Sequence, residues 1–240
     1  MTDPIVFLPG LQSDHRSWVH QIAHFEKSHR VIVVEGFHDQ DSLAGMAGII
    51  MPQLPERFHL VAWSMGGYVT FQLLPQIAAQ LLSLTLIATS VRADSAESTR
   101  NRHRQIEVAR SKGMAFLNRT NQVLNCVDPS LLDTPAFHAM TDAAVEIGLE
   151  AYERQQKAII AREDARDHLA LVTCPAVIIV GEADTTTPPA EARFIHATMP
   201  GSTLHEIPAS GHCVPLEQPV QVNRLIETVI AKGARTAPNE

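Results

Sequence analysis

Short apolar runs alternate with helical patterns along most of this sequence of 240 residues. Six runs are rich in Val, Ile and Leu, and they span residues 4–9, 30–35, 58–63, 81–89, 176–182 and 203–208. Apolar and polar residues do not strictly alternate within the runs, which is typical of parallel strands covered on both faces. Helical patterns lie between them, as in 16–27, where Trp18, Ile22 and Phe25 share one stripe. Because this order requires crossover connections, it predicts an α/β fold with a doubly wound, mainly parallel six-stranded sheet.

The interval from about residue 91 to residue 171 interrupts the alternation, because it contains no convincing strand. Helical patterns occupy 97–112 and 143–162 instead. An all-helical insertion of this length is typical of a lid laid over one edge of a sheet. We therefore predict a helical cap at residues 91–171, inserted in a core made of residues 1–90 and 172–240.

The predicted cap contains a run of basic side chains. Its members are Arg100, Arg102, Arg104, Arg110 and Lys112. Such a run can form a solvated helix face or bind an anion, and the sequence favours the solvated face.

Composition and charge narrow the choice of partners and compartment. The formal net charge of −7 would repel a phosphate backbone, so nucleic acid is not expected as a partner. Three well-separated cysteines make a poor disulfide framework and fit a reducing compartment. Neither a signal peptide nor an apolar segment of about 20 residues is recognisable, so no membrane contact is expected. We predict a cytoplasmic protein that acts on a small molecule.

Ser64 lies between the apolar run 58–63 and a helical pattern that opens with Gly66 and Gly67. In a sharp turn from strand to helix, a serine projects from the carboxyl edge of the sheet, where open α/β sheets bind ligands. The turn brings the residues two before and two after the serine close together, so both must be small. Ala62 stands where the usual Gly-x-Ser-x-Gly pattern has glycine, but its single methyl group still meets the steric requirement.

A serine hydroxyl needs a base, and the base needs a group that orients it. Asp184 follows the fifth apolar run and His212 follows the sixth, so both are expected at the same sheet edge as Ser64. The chain order Ser64, Asp184, His212 is the order expected of such a catalytic triad. Glu182 competes with Asp184 for the acidic role, although it is nearer the strand.

An oxyanion hole needs two N–H donors directed at the substrate's carbonyl oxygen. The backbone N–H of Met65, directly after Ser64, is one candidate. The loop after the first strand offers the other, because Gly10 lets the chain turn so that the N–H of Leu11 faces the site.

Two other features suggest chemistry less strongly. His20 and His24 stand one helical turn apart, but no further ligand completes a metal site near them, so a solvated face is favoured. Cys213 follows the predicted base directly and is interpreted as a packing residue rather than a thiolate nucleophile.

Together these motifs resemble the α/β-hydrolase superfamily over nearly the whole chain. The residues that carry the resemblance lie in the segments 7–11, 62–67, 181–188 and 210–219. The similarity is to small capped members, among them carboxylesterases, enol-lactonases and carbon–carbon bond hydrolases. It implies a serine hydrolase without metal or organic cofactor, in which Ser64 is the nucleophile, His212 the base and Asp184 its orienting group. It also implies the strand order 2-1-3-4-5-6. The sequence departs from the family in one respect, because its first apolar run already leads into the loop of Gly10 and Leu11, so the antiparallel hairpin common at the start of this fold is expected to be missing.

The leading functional hypothesis is hydrolysis of a small carboxylic ester or lactone through an acyl-enzyme. Cleavage of a carbon–carbon bond or an elimination by the same triad is the alternative, since fold and triad do not determine the reaction class. A non-catalytic receptor for a small ligand is the third hypothesis.

Overall fold

A computed structural model of the protein describes residues 3–236, and the side chains of residues 3–234. Six strands form one sheet: β1 Ile5–Leu8, β2 Val31–Val33, β3 Phe58–Trp63, β4 Leu81–Ile87, β5 Ala176–Gly181 and β6 Thr203–Ile207. Their order is β2-β1-β3-β4-β5-β6, and every neighbouring pair is parallel. The predicted doubly wound six-stranded sheet and its strand order are confirmed.

Helices cover both faces of the sheet, which explains why β1, β3, β4 and β5 are buried along their whole length. The helices are α1 Val19–Phe25, α2 Leu43–Ile50, α3 Met65–Ile77, α4 Ala96–Lys112, α5 Met114–Asn125, α6 Pro135–Ile160, α7 Pro189–Thr198, α8 Val214–Glu217 and α9 Pro219–Thr236. Successive side chains of a strand point to opposite faces. Val6 and Leu8 of β1 accordingly join a core cluster with α2, α3 and α7, while Ile5 and Phe7 join another with α1 and α9.

The helices α4, α5 and α6 lie between β4 and β5 and form the predicted helical insertion. A small cluster built around Ala109, Met114, Leu117 and Tyr152 joins them. The helix α6 is interrupted at Gly148, whose φ of 81° is not helical. The cap boundaries at residues 91–171 stay a prediction, as do those of the core, whose predicted ends 1–2 and 237–240 lie outside the described residues.

Within the described ranges, no helix is both long and apolar enough to cross a membrane. The parallel strands direct their carboxyl ends to a single edge of the sheet. Ser64 follows β3 at that edge, Asp184 lies in the loop after β5, and His212 lies in the loop after β6. This topology brings together side chains that are up to 148 residues apart in sequence.

Candidate functional site

Ser64 occupies a strained turn between β3 and α3. Its φ of 52° and ψ of −114° lie in a region that residues with a side chain rarely adopt. A Cβ atom added to Gly66 would lie 2.3 Å from the carbonyl oxygen of Leu8. Ala62, in contrast, is a fully buried strand residue paired with Leu8 and Leu86 of the neighbouring strands. The requirement for glycine is therefore strict at Gly66, whereas β3 accommodates the methyl group of Ala62.

The structure brings Ser64, His212 and Asp184 into one hydrogen-bonded chain. Nε2 of His212 lies 3.0 Å from Oγ of Ser64, and Nδ1 lies 2.9 Å from Oδ2 of Asp184. Because an ionised carboxylate can only accept, Nδ1 donates to Asp184 and Nε2 is left to accept the serine proton. Glu182 is exposed, whereas Asp184 is buried. This arrangement can convert the hydroxyl of Ser64 into a nucleophile.

The carboxylate of Asp184 is held by the loop that follows it. Its Oδ1 accepts from the backbone N–H groups of Thr186 and Thr187, at 2.8 and 2.9 Å, and its Oδ2 accepts from the hydroxyl of Thr187 at 2.9 Å. Burial alone raises the pKa of Asp184, but the charge of His212 and these hydrogen bonds outweigh it, and the pKa lies below its ordinary value. Asp184 therefore stays ionised and can orient the imidazole.

The loop that carries His212 is connected to both the sheet and the cap. The backbone N–H of His212 donates to the carbonyl of Asn125 at the end of α5, at 2.8 Å. Nε1 of Trp63 donates to the carbonyl of His212 at 3.0 Å. The buried carboxylate of Glu217 accepts from the N–H of Gly211 at 2.9 Å and from the N–H of Val127 at 2.8 Å. These contacts restrict the position of His212 relative to Ser64.

The two predicted oxyanion donors lie in two segments next to Ser64: Met65 follows Ser64 directly in the chain, and Leu11 follows Gly10 in the loop after β1. A Cβ atom added to Gly10 would lie 3.4 Å from Cβ of Ser64, so the loop after β1 passes directly beside the serine. Within residues 3–236, the N–H groups of Leu11 and Met65 have no hydrogen-bond partner. The next N–H, that of Gln12, donates to Oε1 of Gln155 on α6 at 3.0 Å. Neither candidate donor is therefore occupied by another group of the described residues.

A cavity of about 280 Å³ opens between these loops and the cap. Its lining includes Gln12, Ser64, Arg102, Gln122 and His212. Several polar side chains of the cap do not line it, among them His103, His138, Tyr152, Gln155 and Arg162.

Cys213 also borders the cavity, but its thiol is buried. Burial, with the nearby Glu217 carboxylate, raises the pKa of Cys213 well above its ordinary value. A thiol in this state is a poor nucleophile, which fits the interpretation of Cys213 as a packing residue. In the part of the chain that the structure describes, no group of three or more His, Cys, Asp or Glu side chains is placed to hold a metal ion.

Three residues that position this site were not found by sequence reasoning. Glu217 and Gln155 accept hydrogen bonds from backbone N–H groups through their side chains, whereas Asn125 accepts one through its backbone carbonyl, and contacts of this kind give no recognisable spacing in the sequence. Glu217 carries the one usable sequence signal of the three, because it follows His212 by five residues within the segment 210–219.

Comparisons of the sequence and of the structure with known proteins point to the same family. A sequence model described as "Alpha/beta hydrolase family" matches residues 5–225. A pimeloyl-(acyl-carrier protein) methyl ester esterase of Nitrosomonas europaea is 27% identical over 204 residues, covering 75% of this chain and 74% of that protein. A 3-oxoadipate enol-lactonase of Acinetobacter baylyi is 25% identical over 240 residues, covering 90% and 84%. The structure of a thermophilic esterase from Thermogutta terrifontis is similar with a TM-score of 0.83 and 26% identity, covering 97% of this chain and 91% of that chain.

Proposed function

Because the chain belongs to the alpha/beta hydrolase family, we propose that it hydrolyses a small carboxylic ester or lactone through an acyl-enzyme on Ser64. The observation that carries this proposal is the continuous hydrogen-bonded chain from Oγ of Ser64 through His212 to Asp184. A hydroxyl, an imidazole and a carboxylate in this order form the arrangement that activates serine for attack on a carbonyl carbon.

In the proposed reaction, Oγ of Ser64 attacks the carbonyl carbon while Nε2 of His212 takes its proton. The N–H groups of Leu11 and Met65 donate to the oxygen that becomes negative. The imidazolium then returns the proton to the leaving alcohol, and the carbonyl re-forms as the acyl-enzyme. Water, activated by the same imidazole, releases the acid and restores Ser64. The ionised carboxylate of Asp184 stabilises the imidazolium in both steps.

Two further observations support an ester or lactone as the substrate. The relatives include a methyl ester esterase and an enol-lactonase, which break the same type of carbonyl–oxygen bond. The cavity of about 280 Å³ beside Ser64 suits a small substrate.

Three free cysteines fit the proposed cytoplasmic location, since a reducing compartment keeps thiols unpaired.

A panel of short-chain aryl esters and small lactones tests the proposal. We expect turnover by the native protein and loss of at least about 10³-fold in Ser64→Ala, because the nucleophile is removed. Ser111→Ala in α4 is the control, since Ser111 is exposed and bonds only to its own helix, and it should retain native turnover.

Other outcomes would contradict this function. Ester turnover that persists in Ser64→Ala would show that Ser64 is not the nucleophile. Absent ester turnover, together with rapid loss of absorbance from a vinylogous diketone, would indicate carbon–carbon bond hydrolysis. Tight ligand binding without any turnover would indicate a receptor.

A further inference from the structure

The cavity beside Ser64 is unusually rich in carboxamide side chains, and it contains one guanidinium. The amides come from Gln12 and from α4 and α5, while the guanidinium is that of Arg102 on α4. Among the described residues, no Asp or Glu side chain lines the cavity. The lining therefore offers hydrogen bonds and one fixed positive charge, but no negative charge to oppose a bound anion.

Arg102 differs from the other basic side chains of its helix because it turns inward. Its side chain is 16% exposed, and its Nε lies 3.2 Å from both carboxylate oxygens of Asp94. Its Nη1 donates to Oε1 of Gln156 at 3.1 Å. Within the described ranges, Nη2 makes no hydrogen bond. The solvated-face interpretation therefore fits Arg100 and Arg104, which are exposed, but not Arg102.

The charge of Arg102 is not fully balanced by its neighbours. Asp94 is 1% exposed and also forms an ion pair with Arg162, whose Nη1 lies 2.7 Å from Oδ1. Two guanidinium groups thus share one carboxylate. Arg92, which lies nearby in sequence, is occupied by Glu191 at 2.7 Å. One positive charge is left over at the wall of the cavity, where partial burial strengthens its interaction with an anion.

Two buried polar atoms of the lining lack partners. Nε2 of Gln12 and Oε1 of Gln122 make no hydrogen bond, although both side chains are at least nine-tenths buried. The orientation of the Gln122 amide is well determined, because its Nε2 donates to the carbonyl of Phe137 at 3.0 Å. Buried polar groups are normally paired, so these two atoms mark residues of the lining whose hydrogen-bonding capacity is not used within the described protein.

We propose that this cavity recognises a carboxylate, so that the substrate is a small ester or lactone carrying a free carboxylate on its non-reacting part. Nη2 of Arg102 donates to that carboxylate, and carboxamides of the lining hydrogen-bond to polar groups between it and the reacting carbonyl. A single surplus charge matches a carboxylate better than a doubly charged phosphate. The ester or lactone part of this inference rests on the proposed function, whereas carboxylate recognition does not.

A matched pair of substrates tests the inference. Monomethyl succinate carries a carboxylate, and methyl succinamate replaces it with a neutral amide of similar shape. We expect Arg102→Gln to lower kcat/KM for monomethyl succinate by about 10- to 100-fold, the loss typical of a hydrogen bond to a charged group. Turnover of methyl succinamate should change by less than about threefold. Arg100→Gln removes the same charge from the exposed side of the same helix and should leave both values native.

Either of two kinetic results would overturn carboxylate recognition. In one, Arg102→Gln has no effect on monomethyl succinate. In the other, it lowers turnover of both esters equally, which would indicate general damage to the cap. Asp94 keeps Arg162 as its partner in this variant, so the cap is expected to fold, and a thermal melt of each variant checks this point.

Calorimetric titration separates this inference from the proposed function. Free succinate is expected to bind to the native protein and to Ser64→Ala alike, whereas the diamide succinamide should bind at least about tenfold more weakly. Equal affinity for the two ligands, or no binding of succinate, would overturn the inference even if esters are hydrolysed. This comparison needs no variant of Arg102, so it decides the matter if Arg102→Gln fails to fold. Succinate binding without ester turnover would instead leave carboxylate recognition intact and contradict the hydrolase function.

Discussion

Two small residues flank Ser64 at a spacing of two, but they are small for different physical reasons. Gly66 faces the backbone of Leu8, where an added Cβ atom would lie 2.3 Å from the carbonyl oxygen. Backbone atoms cannot move aside as a flexible side chain can, so this contact allows no substitution. Ala62 lies within β3, where a methyl group is already accommodated in the core. The tight turn thus requires glycine at position 66, whereas position 62 accepts a small side chain.

Substitutions at these two positions should separate the requirements. Gly66→Ala should lower kcat/KM by at least about 100-fold, because the turn must shift and Ser64 with it. Ala62→Gly should retain activity within a few-fold, while Ala62→Val should disable Ser64 by distorting the same turn. Steady-state kinetics with the best aryl ester measures all three.

Gly48→Ala supplies the control for the glycine substitution. An added Cβ atom at this position in α2 meets nothing within 4 Å, so activity should be unchanged. Full activity of Gly66→Ala or Ala62→Val would show that the turn is not as restrictive as its geometry indicates.

At the scale of secondary-structure elements, the cap helices hold the loops that carry the proposed chemistry. The carbonyl of Asn125, at the end of α5, accepts from the N–H of His212. Gln155 of α6 is fully buried and accepts from the N–H of Gln12, while its Nε2 lies 2.7 Å from Nδ1 of His38. Gln12 itself has a φ of 57°, which a residue with a side chain adopts only when its surroundings hold it. We therefore infer that α6 fixes the conformation of the loop after β1, which carries Gln12 and the proposed oxyanion donor Leu11.

Gln155→Leu tests this positioning role. The buried N–H of Gln12 would lose its acceptor, and the adjacent N–H of Leu11 would be less well placed for the oxyanion. We expect kcat to fall by about 10-fold with little change in KM, because the donor acts on charge that develops after binding. Glu150→Leu, on the exposed side of α6, is the control and should keep native kcat. An increase in KM at native kcat would instead point to a role of Gln155 in substrate binding.

At the scale of the whole molecule, the sheet buries a titratable group that takes no part in the site. His59 of β3 is 2% exposed, and its Nδ1 lies 2.8 Å from Oγ of Ser83 on β4. Burial lowers the pKa of His59 to about 4; the nearby charge of Asp3 opposes this shift and that of His29 adds to it. The folded protein therefore keeps His59 neutral at pH values where the unfolded chain binds a proton.

This difference predicts a pH dependence of stability. An unfolded histidine is protonated below about pH 6.5, whereas His59 in the folded state is protonated only below about pH 4. The contribution of neutral His59 to the free energy of unfolding is complete above pH 6.5, and it is lost as the pH falls from 6.5 through 4. Between pH 7.5 and 4.5, the native protein should lose about 2 kcal/mol more of its free energy of unfolding than His59→Gln does.

Urea unfolding at the two pH values measures this difference. A change in the free energy of unfolding that the substitution causes equally at both pH values cancels, because each variant is compared with itself. His103→Gln is the matched control, because it removes an exposed imidazole of the cap by the same substitution. Equal losses in the native protein and His59→Gln would contradict the assigned burial of a neutral imidazole.

Much of the fold and the order of the proposed triad could be predicted from local patterns. The strand β3, the small residues around Ser64 and the loops after β5 and β6 are encoded within short segments of sequence. The contacts that position the site are not. Gln12 and Gln155 are 143 residues apart, and a single amide gives no pattern that identifies its partner. The helical pattern of α4 likewise shows a basic run without showing that Arg102 alone turns towards the cavity.

The sequence by itself determined the alternation of strands and helices, the position of the helical insertion and the candidates Ser64, Asp184 and His212. Hydrophobic periodicity and turn chemistry are local, and they act before distant segments meet. Only the tertiary structure decided which side chains border the cavity, how Asp184 is kept ionised and how two guanidinium groups come to share Asp94. These properties depend on distance and burial, which arise only when segments far apart in the chain are packed against one another.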